Sequence, residues 1–191
     1  FSYPAAERLE YFPLQNFKGK MFLLPNYPEK RFYQGFGPRV HEFHEEAVRL
    51  LYQGSICEGH CLEVIIPILK ERVDSRPITL TLIGPITQSY RSELIFMANL
   101  HGVEKQLNIL DPLPYAFLPY VTRSHTIGLA MHEADNINYS TGGTASNKIY
   151  EYAACGLPVL ALDIPHYREH LGKYSWVVLA ARETASIYSE I

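Results

Sequence analysis

A lysine and a glutamate one helical turn apart, preceded by small residues, are the most chemically suggestive feature of this sequence. The run Gly142-Gly143-Thr144 comes shortly before a segment of helical character that contains Lys148 and Glu151. The start of a helix offers free backbone N–H groups and partial positive charge, which suit an anion such as phosphate. Residues three apart share one side of a helix. The pattern predicts a nucleotide site, with Lys148 on phosphate and Glu151 on sugar hydroxyls.

The local sequence sets the ends of this helix. Ser146 is a favourable N-cap, and Gly156 followed by Pro158 is a typical helix stop. A lysine in the first turn is unfavourable next to the positive end of the helix dipole, so its presence favours a role in binding an anion.

Plainer interpretations exist for the same residues. Lys148 and Glu151 could form a surface ion pair, and the two glycines could be only a flexible turn. Cys57, His60 and Cys61 are of metal-ligating type, but no second cluster at zinc-site spacing follows them, so no metal site is predicted.

Strands and helices alternate regularly from residue 48 onward. Continuous apolar runs, each followed by a helical pattern, predict a parallel sheet covered on both faces, which is a Rossmann-like α/β fold. The predicted strands are 48–52, 78–83, 107–110, 126–130, 159–162 and 176–179, and the predicted helices are 60–73, 89–101, 115–121, the segment after Ser146, 165–171 and 184–191. Ligands of such sheets bind beyond the carboxyl ends of the strands. The loops 54–56, 84–86 and 131–146 are therefore expected to meet at one edge.

Composition narrows the class of protein. The chain has 191 residues, 47% of them hydrophobic, and a net charge of -3, which gives no electrostatic footprint for nucleic acid. No uncharged apolar run approaches the roughly 18 residues that span a bilayer. An odd number of cysteines, 3 in all, does not suggest a disulfide framework, so a reducing compartment, the cytoplasm, is expected.

Residues 1–47 differ from the remainder. They contain a weak helical pattern, a short apolar run at 21–24 that predicts a buried strand, and an irregular stretch from 26 to 47. Because residue 1 is Phe and not Met, we expect that the native chain begins earlier. We expect 1–47 to be the tail of a preceding domain plus a linker, and 48–191 to be the ligand-binding domain with its final helix cut short.

Several stretches together resemble the C-terminal domain of GT-B-fold glycosyltransferases, in particular the large retaining family labelled group 1 or family 4. Order and spacing match over about 48–179. The matching stretches are Tyr52-Gln53-Gly54-Ser55-Ile56, Glu58-Gly59-His60-Cys61-Leu62-Glu63, Leu82-Ile83-Gly84-Pro85, Ile127-Gly128-Leu129-Ala130 and Asn147-Lys148-Ile149-Tyr150-Glu151-Tyr152-Ala153-Ala154-Cys155-Gly156-Leu157-Pro158-Val159.

The resemblance implies roles for individual residues. Glu151 would bind the ribose hydroxyls of a nucleotide-sugar donor, and Leu113 would lie against the nucleobase. The donor diphosphate would be held by Gly54, Ser55, His60, Gly142, Gly143, Thr144 and Lys148. His132 and Glu133, after the fourth strand, are candidate contacts of the donor sugar.

Three positions depart from the family pattern. Gly143 stands where an acid usually contacts the donor sugar, and Ser55 and His60 stand where the first loop usually carries cations. A histidine is a weaker cation at neutral pH, so more of the diphosphate charge should fall on Lys148.

The resemblance implies a hexosyltransferase that transfers sugar from a UDP- or GDP-linked donor in polysaccharide or glycoconjugate synthesis, without other cofactors. The catalytic residues would lie mostly in a missing N-terminal domain, so the fragment alone is expected to be inactive. That domain is the expected partner, and it could bring the enzyme to the inner face of a membrane. Two alternatives stay open: a sugar-nucleotide epimerase of the same fold, and a non-catalytic nucleotide-sugar-binding module.

Overall fold

Strands and helices alternate along most of the computed structural model, which describes residues 2–36, 46–133, 135 and 137–191. The strands are β1 (Ser2–Tyr3), β2 (Phe22–Leu23), β3 (Val48–Gln53), β4 (Arg72–Val73), β5 (Arg76–Ile83), β6 (Leu107–Leu110), β7 (Ile127–Ala130), β8 (Val159–Leu162) and β9 (Val177–Ala180). The α-helices are α1 (Lys30–Gln34), α2 (Leu62–Ile65), α3 (Gln88–Leu100), α4 (Leu118–Arg123), α5 (Ile137–Ser140), α6 (Gly142–Ala145), α7 (Asn147–Ala154), α8 (Pro165–Leu171) and α9 (Thr184–Ser189). Short 3-10 helices cover Ala6–Tyr11, Leu14–Asn16, Ile66–Lys70, Glu104–Gln106 and Tyr115–Phe117.

The main sheet is parallel apart from one short strand. Its order is β6-β5-β3-β7-β8-β9, and β4 pairs antiparallel with the start of β5. Counted along the chain, the parallel strands take the order 3-2-1-4-5-6 of doubly wound nucleotide-binding sheets. The α/β Rossmann-like class predicted from the sequence is confirmed.

Both faces of the central strands β3, β7 and β8 are buried, which explains why these strands are continuous apolar runs, while one face of the edge strand β6 is exposed. Successive side chains of a strand point to opposite faces. Leu50 and Tyr52 of β3 belong to one core cluster, while Leu51 between them belongs to the other. The first cluster packs under α2, α3 and α9, and the second under α7 and α8.

The predicted helix at 60–73 was wrong in length. The structure has the short helix α2, then the 3-10 helix Ile66–Lys70, and then β4. Pro67 lies in the middle of this run and has no N–H to donate to a continuing α-helix. The apolar residues keep helical spacing across the break, because Leu62, Ile65 and Leu69 are all buried.

The strand predicted at 21–24 is present in part, but the prediction that it is buried is wrong. Residues Phe22–Leu23 form β2, which pairs with β1 in a separate two-stranded sheet. Phe22 and Leu23 are 54% and 49% exposed. Two hydrogen bonds attach the segment after β2 to helix α6. The backbone N–H of Asn26 donates to the carbonyl of Thr144, and the side-chain amide of Asn26 donates to the carbonyl of Ala145.

The linker predicted at 26–47 lies partly outside the described residues, and the domain boundary near residue 47 stays a prediction. Helix α1 falls within this stretch. Within the described part of the chain, no helix combines the length and apolarity needed to cross a bilayer.

Candidate functional site

The candidate site lies where β3 and β7 are neighbours and their chain connections run to opposite sides of the sheet. Such a switch point leaves a crevice at the carboxyl ends of the strands. Gly54 follows β3 with a φ of 118°, a left-handed conformation that favours glycine. Gly84, after β5, packs so closely that an added Cβ would lie 1.9 Å from the carbonyl oxygen of Gly54. Only glycine at residue 84 allows these two loops to meet.

Lys148 reaches from the first turn of α7 across the switch point. Its Nζ donates to the Tyr52 hydroxyl at 2.8 Å and to Nε2 of His132 at 2.8 Å. The ammonium also lies 4.1 Å from the centre of the Tyr52 ring, within cation–π distance. An added Cβ on Gly54 would meet Cε of Lys148 at 3.4 Å, an ordinary van der Waals contact, so Lys148 packs directly over this loop. The amine is thus held at one point, between β3, β7 and α7.

Burial controls the charge of this group. It lowers the pKa of Lys148 to about 7, because the ammonium form loses solvation. Burial, followed by repulsion from Lys148, lowers the pKa of His60 to about 4 and that of His132 to about 2. Both imidazoles are therefore neutral at pH 7, and Lys148 is the group here whose charge an anion can stabilise.

Neutral histidines can be assigned tautomers from their partners. The Tyr52 hydroxyl donates to the carbonyl of Ser55 at 2.9 Å, so Nδ1 of His60, 2.6 Å away, is the donor to that hydroxyl. Nε2 of His132 accepts from Lys148, so its Nδ1 carries the proton toward the Tyr167 hydroxyl at 3.2 Å. His60 therefore supplies no charge, and it holds Tyr52 in place below the lysine.

Glu151 is held by a second set of contacts on the same helix. Nε2 of Gln53 donates to its Oε2 at 2.7 Å, and Oε1 of Gln53 accepts from Oγ1 of Thr122 at 2.9 Å. Gln53 is buried and ends β3, so it fixes the direction of the carboxylate. Lys148 and Glu151 each bond residues outside their own helix, Lys148 to Tyr52 and His132 and Glu151 to Gln53, so the plain surface ion pair considered from the sequence does not describe their surroundings.

The two side chains line one cavity of about 350 Å³. Its walls are Gln53, Gly54, Ser55, Tyr115, Leu118, Asn147, Lys148 and Glu151. A second cavity, of about 320 Å³, shares Tyr115, Asn147 and Glu151 with the first. The predicted residues Gly54, Ser55, Lys148 and Glu151 are therefore brought together on one crevice.

The turn Gly142–Ala145 has a different environment. It forms the buried helix α6 and does not line that cavity. The N–H of Gly143 donates to Nδ1 of His166 at 3.1 Å, and the N–H of Thr144 turns back to the carbonyl of Thr141. The N–H of Ala145 also donates to the carbonyl of Thr141, so three amides of the turn are already occupied in this conformation, and its role as a diphosphate cradle stays a prediction.

Three further predicted residues lie outside the first cavity. Leu113 is half-buried and packs against the second core cluster. His132 is buried beside Lys148. Glu133 lies toward α9, where its Oε1 accepts from Arg182 at 2.6 Å. The sugar-contact predictions for His132 and Glu133 and the base contact of Leu113 therefore stay predictions.

The structure adds residues that sequence reasoning missed. Gln53 and Tyr52 come at the end of a buried strand, where a polar amide and a hydroxyl are a signal because buried polar groups need partners. Tyr115 lines both cavities and its hydroxyl lies 3.0 Å from that of Tyr33. Asn147 begins α7, and only its place beside Lys148 marks it in the sequence.

Solved structures similar to this chain carry the same fold. HepE from Anabaena, in complex with UDP and glucose, aligns over 99% of this chain and 51% of its own at 14% identity, with a TM-score of 0.69. WaaG, a glycosyltransferase involved in lipopolysaccharide biosynthesis, aligns over 98% of this chain and 51% of its own at 15% identity, with a TM-score of 0.66. UDP-GlcNAc 2-epimerase from Neisseria meningitidis, bound to UDP-GlcNAc, aligns over 84% and 38% at 16% identity, with a TM-score of 0.51.

Neither protein-family models nor curated proteins gave a match to the sequence. The chain spans about half the length of the glycosyltransferase structures that it matches. At these identities the likeness establishes the fold. The chain has the Rossmann-like fold found in GT-B glycosyltransferases, as the resemblance in its sequence predicted.

Proposed function

We propose that this chain is the donor-binding half of a glycosyltransferase and binds a nucleotide-diphosphate sugar at the β3–β7 switch point. The observation that carries the proposal is the placement of Lys148 and Glu151 on one cavity at the carboxyl ends of the strands. An amine beside a glycine loop suits a diphosphate, and an oriented carboxylate suits a pair of vicinal hydroxyls.

The chemistry follows from the charge of the leaving group. When a glycosidic bond to a nucleoside diphosphate breaks, negative charge develops on the diphosphate. An ammonium group already fixed at that place stabilises the charge without reorganisation. Lys148 is held by Tyr52 and His132 before any ligand arrives, so the geometry favours such a preorganised role.

Several finer features are part of the proposal. The sugar is a hexose, and its transfer occurs with retention at the anomeric carbon. The acceptor and most catalytic residues belong to a second domain, so this chain alone binds donor without turnover. UDP and GDP are both candidate nucleotides, and the similar structures solved with UDP favour UDP.

A sugar-nucleotide epimerase is the second candidate, because an epimerase bound to UDP-GlcNAc has the same fold. Both candidates bind a nucleotide sugar here, so binding alone does not separate them. The assembled two-domain protein does: an epimerase interconverts UDP-GlcNAc and its 2-epimer without an acceptor, whereas a transferase needs one. A third candidate, a binding module without catalysis, predicts binding with neither reaction.

Calorimetric titration with UDP, GDP and their sugars tests the donor site. We expect saturable binding of at least one diphosphate at sub-millimolar concentration. Glu151→Gln should weaken it by about tenfold, since the ribose loses a charged acceptor. Glu104→Gln, the same change on an exposed 3-10 helix, is the matched control. Absence of binding to every nucleotide at millimolar concentration contradicts the proposal, and unchanged affinity of Glu151→Gln contradicts the role of Glu151.

A further inference from the structure

A cluster of metal-ligating side chains lies away from the cavity, where the N-terminal segment meets α8. His166 and His170 are four residues apart on α8, so they share one face of the helix. Glu7 approaches them from the 3-10 helix Ala6–Tyr11. One ligand atom from each of the three lies within 4.8 Å of the others.

A second observation concerns the ring nitrogen of His166 that faces this cluster. Among the described residues, Nε2 of His166 is one of the buried side-chain nitrogens or oxygens without a hydrogen-bond partner. The side chain of His166 is only 9% exposed, and Nε2 lies 3.6 Å from Oε1 of Glu7, beyond hydrogen-bond distance. A buried polar atom without a partner is unfavourable. In the metal-free chain this nitrogen carries the ring proton, because Nδ1 accepts from the N–H of Gly143, and that proton has no acceptor within hydrogen-bond distance. The nitrogen lies next to the other two ligand groups, so a metal ion placed among the three would displace the unpaired proton and bind in its place.

We propose that Glu7, His166 and His170 bind a divalent transition-metal ion, with Zn²⁺ as the representative of its class. Two imidazole nitrogens and one carboxylate oxygen are a set that suits zinc and its neighbours in the first transition row. Three protein ligands leave a fourth position for water. The side chains of Glu7 and His170 are 44% and 32% exposed, so the ion can enter from solvent.

The site would join two parts of the chain that are distant in sequence. Glu7 belongs to the N-terminal segment, which Arg8 already attaches to the loop before α6 through a hydrogen bond of 2.9 Å to Oγ1 of Thr141. A metal bridge from Glu7 to α8 would strengthen this attachment, because an ion that binds only the folded chain stabilises it.

One existing hydrogen bond limits the affinity. The N–H of Gly143 donates to Nδ1 of His166, which puts the ring proton on Nε2 in the metal-free protein. Coordination through Nε2 displaces that proton and leaves the neutral ring with its proton on Nδ1, where it faces the N–H of Gly143, so two buried donors then lack an acceptor. Unsatisfied buried donors are costly, so this change weakens binding by about tenfold or more. We therefore expect a dissociation constant on the order of 10 µM and not the tighter values of closed structural zinc sites.

Titration of the tag-free chain with zinc chloride, in competition with a chromophoric chelator, measures this affinity. We expect one Zn²⁺ per chain, a rise in melting temperature on adding zinc, and a visible Co²⁺ absorption typical of four-coordinate sites. His170→Ala and Glu7→Gln should each weaken zinc binding by at least about tenfold. Both residues are partly exposed, so circular dichroism should show that these variants fold.

Glu10→Gln is the matched control for Glu7→Gln, because Glu10 is exposed on the same 3-10 helix and lies outside the cluster. Cys61, Glu63 and Glu133 form another group of ligand type, but Arg182 bonds both of its carboxylates. Zinc binding that survives His170→Ala and disappears in Glu133→Gln would overturn the proposal. So would the absence of saturable binding up to about 1 mM zinc.

Discussion

Two neighbouring stretches, the turn Gly142–Ala145 and the first turn of α7, are both predicted from the sequence to hold a diphosphate, and their surroundings differ. The turn is buried, and three of its backbone N–H groups donate to other protein atoms. The first turn of α7 instead places the side chain of Lys148 on an open cavity. Small residues near the start of a helix therefore indicate close packing as readily as they indicate an anion site.

The largest expected effect is a loss of stability when the packing of the turn Gly142–Ala145 is disturbed. A Cβ on Gly143 would lie 2.6 Å from Nδ1 and 2.8 Å from the backbone oxygen of His166. Gly143→Ala should therefore lower the free energy of unfolding by about 2–3 kcal/mol, as overpacking does in a close-packed interior. Urea denaturation measures the change.

Gly35→Ala is the control for that variant, since an added Cβ there meets its nearest atom at an ordinary 3.6 Å. Its stability should stay within about 0.5 kcal/mol of the wild type. If Gly143→Ala kept full stability but lost UDP binding, the turn would be a ligand-binding element and not a packing element.

Removal of the cation is the next largest effect. Lys148→Met keeps much of the apolar stem and removes the ammonium, so UDP should bind about 10- to 100-fold more weakly, the range of a hydrogen bond to a charged group. Calorimetry at pH 7 measures the loss. Lys105→Met, on an exposed 3-10 helix, should leave affinity unchanged. An equal loss in the two variants would indicate a general electrostatic effect with no specific role for Lys148.

Much of the fold could be predicted from sequence because the same signal recurs. Each of the six predicted strands from residue 48 onward is present within two residues at either end. The central strands β3, β7 and β8 are apolar runs buried on both faces, whereas the edge strand β6 has the exposed residues Asn108 and Leu110 on one face. The prediction that the strand at 21–24 is buried failed because Phe22 and Leu23 are apolar yet exposed. An apolar run alone does not show whether anything packs over the strand.

The candidate site could be predicted only in part. Lys148 and Glu151 could be predicted from local sequence, because a lysine in the first turn of a helix and an acid three residues later indicate an anion and a hydroxyl site on one helix face. For Gln53 and Tyr52 the sequence shows only polar groups at the end of a buried strand. Their partners, Thr122 and Lys148, lie far away in the sequence and are seen only in the structure. Likewise, nothing local in the sequence indicates that His166 accepts from Gly143.

The charge state of Lys148 should make the UDP affinity depend on pH, by about tenfold between pH 7 and 8.5. Its pKa is about 7 in the free protein because of burial, and a bound diphosphate raises it by favouring the charged amine. Binding therefore takes up a proton above pH 7, and UDP affinity should fall by about tenfold from pH 7 to 8.5. Lys148→Met should remove this slope. A slope of equal size in that variant would assign the proton uptake to another group.

The same depressed pKa acts on stability with the opposite sign. Between pH 7 and the higher pKa of lysine in the unfolded chain, the unfolded state holds a proton that the folded state has released. Stability of the free protein should therefore fall as pH drops through this window and rise as pH increases, while UDP affinity falls with increasing pH. Parallel urea and calorimetric measurements on the wild type show whether one group accounts for both trends.

The smallest effect tests whether the nucleobase lies on Leu113, as the resemblance implies, or on the ring of Tyr115, which we add as a second candidate because it lines both cavities. Tyr115 lines both cavities, whereas Leu113 packs against the core beneath them. Tyr115→Phe keeps the ring and removes a hydroxyl that lies 3.0 Å from that of Tyr33, so UDP affinity should fall by about threefold. Leu113→Ala should change it by less than about twofold, since truncating a side chain that packs on the core lowers stability first. If the Leu113 variant binds UDP more weakly than the Tyr115 variant at equal stability, the base lies on Leu113, as the family resemblance implies.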